Sequence, residues 1–299
     1  VLLIAIFLYV DIHSFFSSII KANPLPLSIA IALLPINIYM QFFRWKTLLS
    51  LISLEISNKE ILTSLFVGFA AGFFTPAQLG DFGGRVLALR SQKASNIIFL
   101  NLIDRIAIAV LTLILGGISG SIFLSTYFPM YWNSIYFLFI VILLPIVSFL
   151  FLQPQYLQKT FSFIPNTWTE KLKERKLFQS LMALQNIFTP KAARSLFVST
   201  TLFFLVIFLQ YYFFINAFDS VSLYHSALCA SNILFVKSFI LPISIGDLGV
   251  RESTAIFFFT KIGASATAAL SASLCLFFIN IVLPAFIGTF FFSQIKVKK

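Results

Sequence analysis

Residues 76–85 read PAQLGDFGGR and residues 242–251 read PISIGDLGVR. Both follow P-x-x-x-G-D-x-G-x-R, with identity at Pro76/Pro242, Gly80/Gly246, Asp81/Asp247, Gly83/Gly249 and Arg85/Arg251. Proline, glycine and charge are scarce in this chain, so their recurrence at five matched places marks an internal duplication. An apolar arm leads into each copy, over 61–75 and 223–241, and a short helical stretch follows, over 86–94 and 253–262.

The rest of the chain sets the medium in which these motifs sit. Of 299 residues 59% are hydrophobic and only 10% charged, and the mean hydropathy is +0.98. A soluble domain carries roughly 25% charged residues, and a disordered chain needs polarity that is missing here. Apolar stretches run over 1–20, 25–50, 61–79, 95–124, 129–152, 193–218, 223–245 and 263–294. At about 20 apolar residues per crossing there is room for some six to eight passages. The expected fold is an all-α polytopic membrane bundle, one integral membrane domain over 1–299.

The net charge of +11 does not indicate nucleic acid, because the basic residues collect in short stretches between apolar runs. That is the placement expected of cytoplasmic loops, and such a surface attracts anionic headgroups. The long connection 153–194 holds seven basic residues and an apolar face of Leu177, Leu181, Leu184 and Phe188. It reads either as an interfacial amphipathic helix or as a solvated linker helix. Cys229 and Cys275 lie in apolar segments and His13 and His225 at segment edges, so neither a disulfide nor a metal centre is expected.

Proline and clustered glycines do not suit a plain lipid-facing helix. Backbone freed from helical pairing is tolerated at membrane depth only against protein or a wet cavity, and broken helices at matching places in two halves point to a transporter site. The alternative is a pair of ordinary cytoplasmic turns with Gly and Asp as helix caps. Charge parity separates the two. If each motif segment is a re-entrant hairpin, 15 of the 21 basic residues share one face, with the basic loops and the C-terminus cytoplasmic. If both segments span fully, 44–59 and 153–194 fall on opposite sides, against the positive-inside bias. The hairpin arrangement also makes the two motifs enter from opposite faces, an inverted repeat.

Charges at membrane depth mark function or close pairing. They are Asp81, Arg85, Asp104, Arg105, Lys237, Asp247, Arg251 and Glu252. Asp and Arg four apart face each other on a helix, and an arginine presents a planar fork suited to phosphate. Gly80, Gly83, Gly84, Gly246 and Gly249 would allow backbone N–H groups to approach that phosphate. A half-helix starting near Gly83 or Gly249 would add its positive end. The candidate is thus a central anion site of Arg85 and Arg251 polarised by Asp81 and Asp247, or else two Asp–Arg pairs that neutralise themselves in a packed bundle. Lys237 is a third ligand or a side chain snorkelling to the surface. Asp104 and Arg105, being adjacent, need partners elsewhere, expected in the hairpins. Arg44-Trp45-Lys46 reads as an interfacial anchor.

No catalytic motif is present: there is no H-E-x-x-H, G-x-S-x-G, Walker A loop or Cys/His cluster. One carboxylate per motif is thin support for Mg²⁺. No enzyme activity and no cofactor are expected.

At these residues the chain resembles a known family. FRW at 43–45, PAQLGDFGGR at 76–85, Asp104-Arg105 and LPISIGDLGVRE at 241–252 are similar to the lysylphosphatidylglycerol synthase transmembrane-region family, also called flippase-like domain proteins. The resemblance runs from about Val1 to Phe292. It implies a multi-pass plasma (inner) membrane protein, in whose best-understood relatives this module moves aminoacylated phospholipid between leaflets. It points to Pro76, Gly80, Asp81, Arg85, Asp104, Arg105, Pro242, Gly246, Gly249, Arg251 and Glu252. Asp247 departs from the family pattern, which has a second glycine there, and this weakens its case as an essential group. The chain given runs to Lys299 straight after an apolar stretch, so no aminoacyltransferase domain is expected within it.

The expected function is binding or translocation of an anionic phospholipid or polyprenyl-linked phosphate headgroup. The alternatives are a scaffold for a membrane-associated glycosyl- or aminoacyltransferase, and an enzyme acting on a polyprenyl phosphate.

Overall fold

The structure is a computed structural model that describes residues 12–129, 189–239 and 248–292. Every regular element among them is helical: α1 Ile12–Ile20, α2 Pro24–Ala32, α3 Leu34–Leu49, α4 Asn58–Phe73, a 3₁₀ turn Pro76–Gln78, α5 Gly80–Ala88, α6 Ala94–Tyr127, α7 Pro190–Phe218, α8 Leu223–Phe239, α9 Val250–Lys261, α10 Ala266–Phe277, a π-helical stretch Phe278–Val282, and α11 Leu283–Phe292. The protein is an all-α membrane bundle.

Four helical runs among the described residues are long and apolar enough to cross a bilayer: Pro24–Leu49, Ala94–Tyr127, Pro190–Phe218 and Ala266–Phe292. They coincide with the apolar stretches 25–50, 95–124, 193–218 and 263–294. The stretches 1–20 and 129–152 fall largely or wholly outside the described residues, as does most of the basic connection 153–194. Its end is described: the Thr189 hydroxyl accepts the Ala192 N–H and Pro190 occupies the first helical turn. Lys191 and Arg194 therefore belong to α7.

The first motif is a hairpin. The stretch 61–79 does not run on as one helix, because α4 ends at Phe73. Thr75 then caps the return, its hydroxyl accepting the Gly80 N–H at 2.7 Å. Ala77 and Gln78 both take left-handed backbone, each with φ 54°, a strain that costs on the order of 1–3 kcal/mol per residue. Helix α5 then packs back antiparallel on α4. A Cβ on Gly80 would sit 2.2 Å from the Ala71 carbonyl oxygen, and one on Gly84 2.7 Å from the Val67 carbonyl oxygen. Both glycines are thus inside a helix, at the places where its backbone meets the neighbouring arm. Their weak helix propensity is offset by that close approach.

The helix after each motif leans on the arm of the other. In α6, a Cβ on Gly116 would meet the Phe235 side chain of α8 at 2.3 Å. In α11, a Cβ on Gly288 would meet the Phe66 carbonyl oxygen of α4 at 2.1 Å. Gly116 lies 22 residues after the start of α6, and Gly288 lies 22 residues after the start of α10. Two apolar clusters fill the remainder, one around Trp45, Leu65, Ile97 and Leu196, the other around Tyr211, Ile233, Phe259 and Leu270.

Candidate functional site

Helix α5 places Asp81 and Arg85 one turn apart on a buried face, and Arg85 Nε donates to Asp81 Oδ1 at 2.8 Å. Both are almost fully buried. The second Asp81 oxygen accepts from Asn101 Nδ2 and Arg105 Nη2, each at 3.0 Å. Arg105 also donates to Gln78 Oε1 at 3.2 Å, which gives the strained Gln78 a task at the tip of the hairpin. The Arg85 guanidinium lies 4.3 Å from the Trp45 ring, and the Trp45 indole N–H donates to Ser64 Oγ at 2.8 Å.

The second motif holds its arginine differently. Arg251 and Glu252 open α9 next to Gly249, whose φ of 98° suits glycine alone. The Gly249 N–H donates to Glu252 Oε2 at 2.7 Å, while Arg251 Nε donates to Glu252 Oε1 at 3.1 Å and to Ser273 Oγ at 3.2 Å. The guanidinium stacks 4.9 Å from the Phe277 ring. Pro242, Gly246 and Asp247 lie outside the described residues.

The two arginines share one cavity of about 270 Å³. Its wall includes Gln78, Asp81 and Arg85 from the first hairpin, Lys237 and Ser238 from α8, Arg251 from α9, and Arg44, Asp104, Arg105 and Asn280 from the spans around them. Arg44 is 1% exposed and bonds Asp104 Oδ1 through Nε at 3.0 Å, with its guanidinium 5.1 Å from the Phe203 ring. Among the described residues, the four arginines of this wall outnumber the carboxylates that hold them, Asp81, Asp104 and Glu252. Arg44 and Arg85 each also keep a buried Nη1 that no described residue accepts. Leaving a charged donor unpaired in a low-dielectric interior is costly, so these groups call for water or an anion.

Several expectations change at this level. Asp104 finds its partner in Arg44, outside the hairpins, while Arg105 finds its own within one. Arg44 and Trp45 are not interfacial anchors: both are buried, the one in an ion pair and the other under Arg85. An aromatic and two cations at a span end look alike in sequence whether they face headgroups or a core. Gly80 spends its N–H on Thr75, and Gly84 its missing side chain on α4. Gly83 faces open space, with nothing within 4 Å of a Cβ.

Asn37, Gln41, Asn101, Gln210 and Asn280 escaped the sequence argument. Their signal was present, a carboxamide inside each of four apolar spans, but carboxamides are common enough that only their convergence makes them notable. No curated protein and no solved structure matches the sequence. A family model, that of the Lysylphosphatidylglycerol synthase TM region, matches residues 1–288, and this multi-pass membrane protein belongs to that family.

Proposed function

We propose that the chain binds the phosphate of an anionic phospholipid or lipid-linked headgroup in this cavity and helps it cross the bilayer. One observation carries the proposal: Arg85 and Arg251, from the two copies of the motif, line a single cavity in which arginines exceed their carboxylate partners among the described residues. The size fits a headgroup. A volume of about 270 Å³ is roughly nine waters' share of liquid volume, enough for a phosphate and its substituent. The acyl chains remain in lipid, beside apolar residues such as Ile36, Tyr39, Phe43 and Val198 that are exposed on the bundle surface.

Movement would come from one half rocking against the other around the bound phosphate, as in inverted-repeat transporters. A long span, two shorter helices and a second long span follow one another over 24–127, the described helices of 190–292 keep that order, and the reciprocal seats of Gly116 and Gly288 would supply two matched bearings. The protein would act as one integral unit of the plasma (inner) membrane with its basic loops cytoplasmic, which brings anionic lipid to the side where charge concentrates. A membrane-associated transferase that supplies the lipid is a natural partner.

The test is scrambling of fluorescent phosphatidylglycerol in vesicles holding the purified protein. Arg85→Lys and Arg251→Lys keep the charge but lose the planar fork. Each is expected to slow movement at least about tenfold, equivalent to 1.4 kcal/mol. Movement by both variants at the unaltered rate would remove the arginines from the site.

A further inference from the structure

The cavity wall has a second pole. Asn37 and Gln41, one turn apart on α3, join through Gln41 Nε2 to Asn37 Oδ1 at 2.8 Å. Asn37 Nδ2 donates to Gln210 Oε1 at 3.2 Å, and Gln210 exchanges bonds with Asn280 at 2.8 and 3.1 Å. Asn37, Gln41 and Asn280 line the same cavity as the arginines. Asn280 sits in the π-helical stretch Phe278–Val282, a departure from α geometry that recurs at functional sites. Among the described residues Gln41 makes one hydrogen bond, so its carbonyl and second N–H remain for a ligand.

Resting on the proposed phosphate site, we infer that its substrate is a phosphodiester whose headgroup carries hydroxyl groups and no ammonium. A carboxamide both donates and accepts, which is what a hydroxyl also does, and it brings no charge to compete for the phosphate. Asn37, Gln41 and Arg44 lie on one face of α3. The helical rise puts Gln41 about 4.5 Å and Asn37 about 10 Å along the axis from Arg44. A phosphate at the guanidinium pole therefore extends its substituent toward carboxamides. An ammonium group is poorly served, because each carboxylate on the wall among the described residues is already bonded to an arginine: Asp81 to Arg85 and Arg105, Asp104 to Arg44. The chemistry is that of a glycerol- or sugar-bearing phosphodiester, not of an aminoacylated headgroup.

Vesicles containing the protein and fluorescent phosphatidylglycerol, phosphatidic acid or lysylphosphatidylglycerol test this directly, with a polyprenyl-phosphate sugar in a parallel set to distinguish the two lipid carriers. The unaltered protein is expected to move a hydroxylated anionic probe at least about tenfold faster than either phosphatidic acid or the lysylated lipid. Gln41→Leu is expected to bring the ratio over phosphatidic acid close to one. Equal rates for hydroxylated and bare phosphate probes, or for the lysylated lipid, overturn the inference without any variant and leave the phosphate site standing. Retention of the full preference by folded Gln41→Leu also overturns it. No movement of any probe overturns the transport proposal and this inference together.

Discussion

The two motif segments present an arginine at the same place, yet among the described residues each secures it with a different acid. In the first, Arg85 uses Asp81 one turn behind it, and that carboxylate also holds Arg105 of α6. In the second, Arg251 uses its neighbour Glu252, which also closes the start of α9 on Gly249. The following helix contributes a polar side chain each time. Asn101, seven residues into α6, bonds Asp81, and Ser273, seven residues into α10, bonds Arg251. Aromatic support differs as well, Trp45 from the preceding span under Arg85 and Phe277 from the following one under Arg251. What the copies share is the guanidinium and its delivery to the cavity. Among the described residues the means of holding it differs.

That contrast can be broken most strongly at Asp81. Asp81→Asn leaves two arginines short of a carboxylate and is expected to cost about 3–5 kcal/mol, the range for breaking a buried pair. Glu252→Gln strands one arginine and should cost less, so thermal unfolding in detergent must rank Asp81→Asn below it. The reverse order would mean the first hairpin is not the more heavily coupled of the two.

The glycines sharpen the same comparison. Gly80→Val drives a Cβ into the Ala71 carbonyl oxygen and is expected to cost about 2–3 kcal/mol through overpacking. Gly83→Ala points into open space and should change stability by no more than about 0.5 kcal/mol. If both glycines tolerate substitution equally, α5 does not lie on α4 as described. Next in size is Trp45→Phe, which removes the indole bond to Ser64 and the best cation–π surface beneath Arg85. A loss of about 1–2 kcal/mol is expected, with no matching effect on Arg251.

The smallest effect belongs to the outer end of the first arm. Ser57 and Glu60 cap α4 reciprocally: Glu60 N donates to Ser57 Oγ at 3.2 Å, and Ser57 N to Glu60 Oε2 at 2.9 Å. The Ser57 hydroxyl, and after it the backbone N–H, hold the Glu60 carboxyl below its ordinary 4.5. A lowered folded value means stability present above that ordinary value and lost as pH falls through the folded one. Ser57→Ala should cost about 0.5–1 kcal/mol at neutral pH and flatten this acid dependence. The second arm starts on Ser222, whose hydroxyl accepts the His225 N–H at 3.3 Å, so Ser222→Ala should leave the same acid slope intact.

Much of this could be read before any coordinates. The composition requires a bilayer, the duplicated motif locates both arginines, and the i,i+4 spacing correctly pairs Asp81 with Arg85, because these depend on hydropathy, identity and helical period. Other features could not be read so. Nothing in the sequence alone distinguishes an interfacial Arg44-Trp45 from a buried one, or tells which glycine meets an arm and which meets space. The partners of Asp104, the stacking of Trp45 under Arg85 and the meeting of Asn37, Gln41, Gln210 and Asn280 join residues up to 243 positions apart. Hydropathy and local period fix which segments enter the membrane and which residues share a helix face. Only the packing of helix against helix decides which faces meet, and here it gathers four arginines and a set of carboxamides around one cavity.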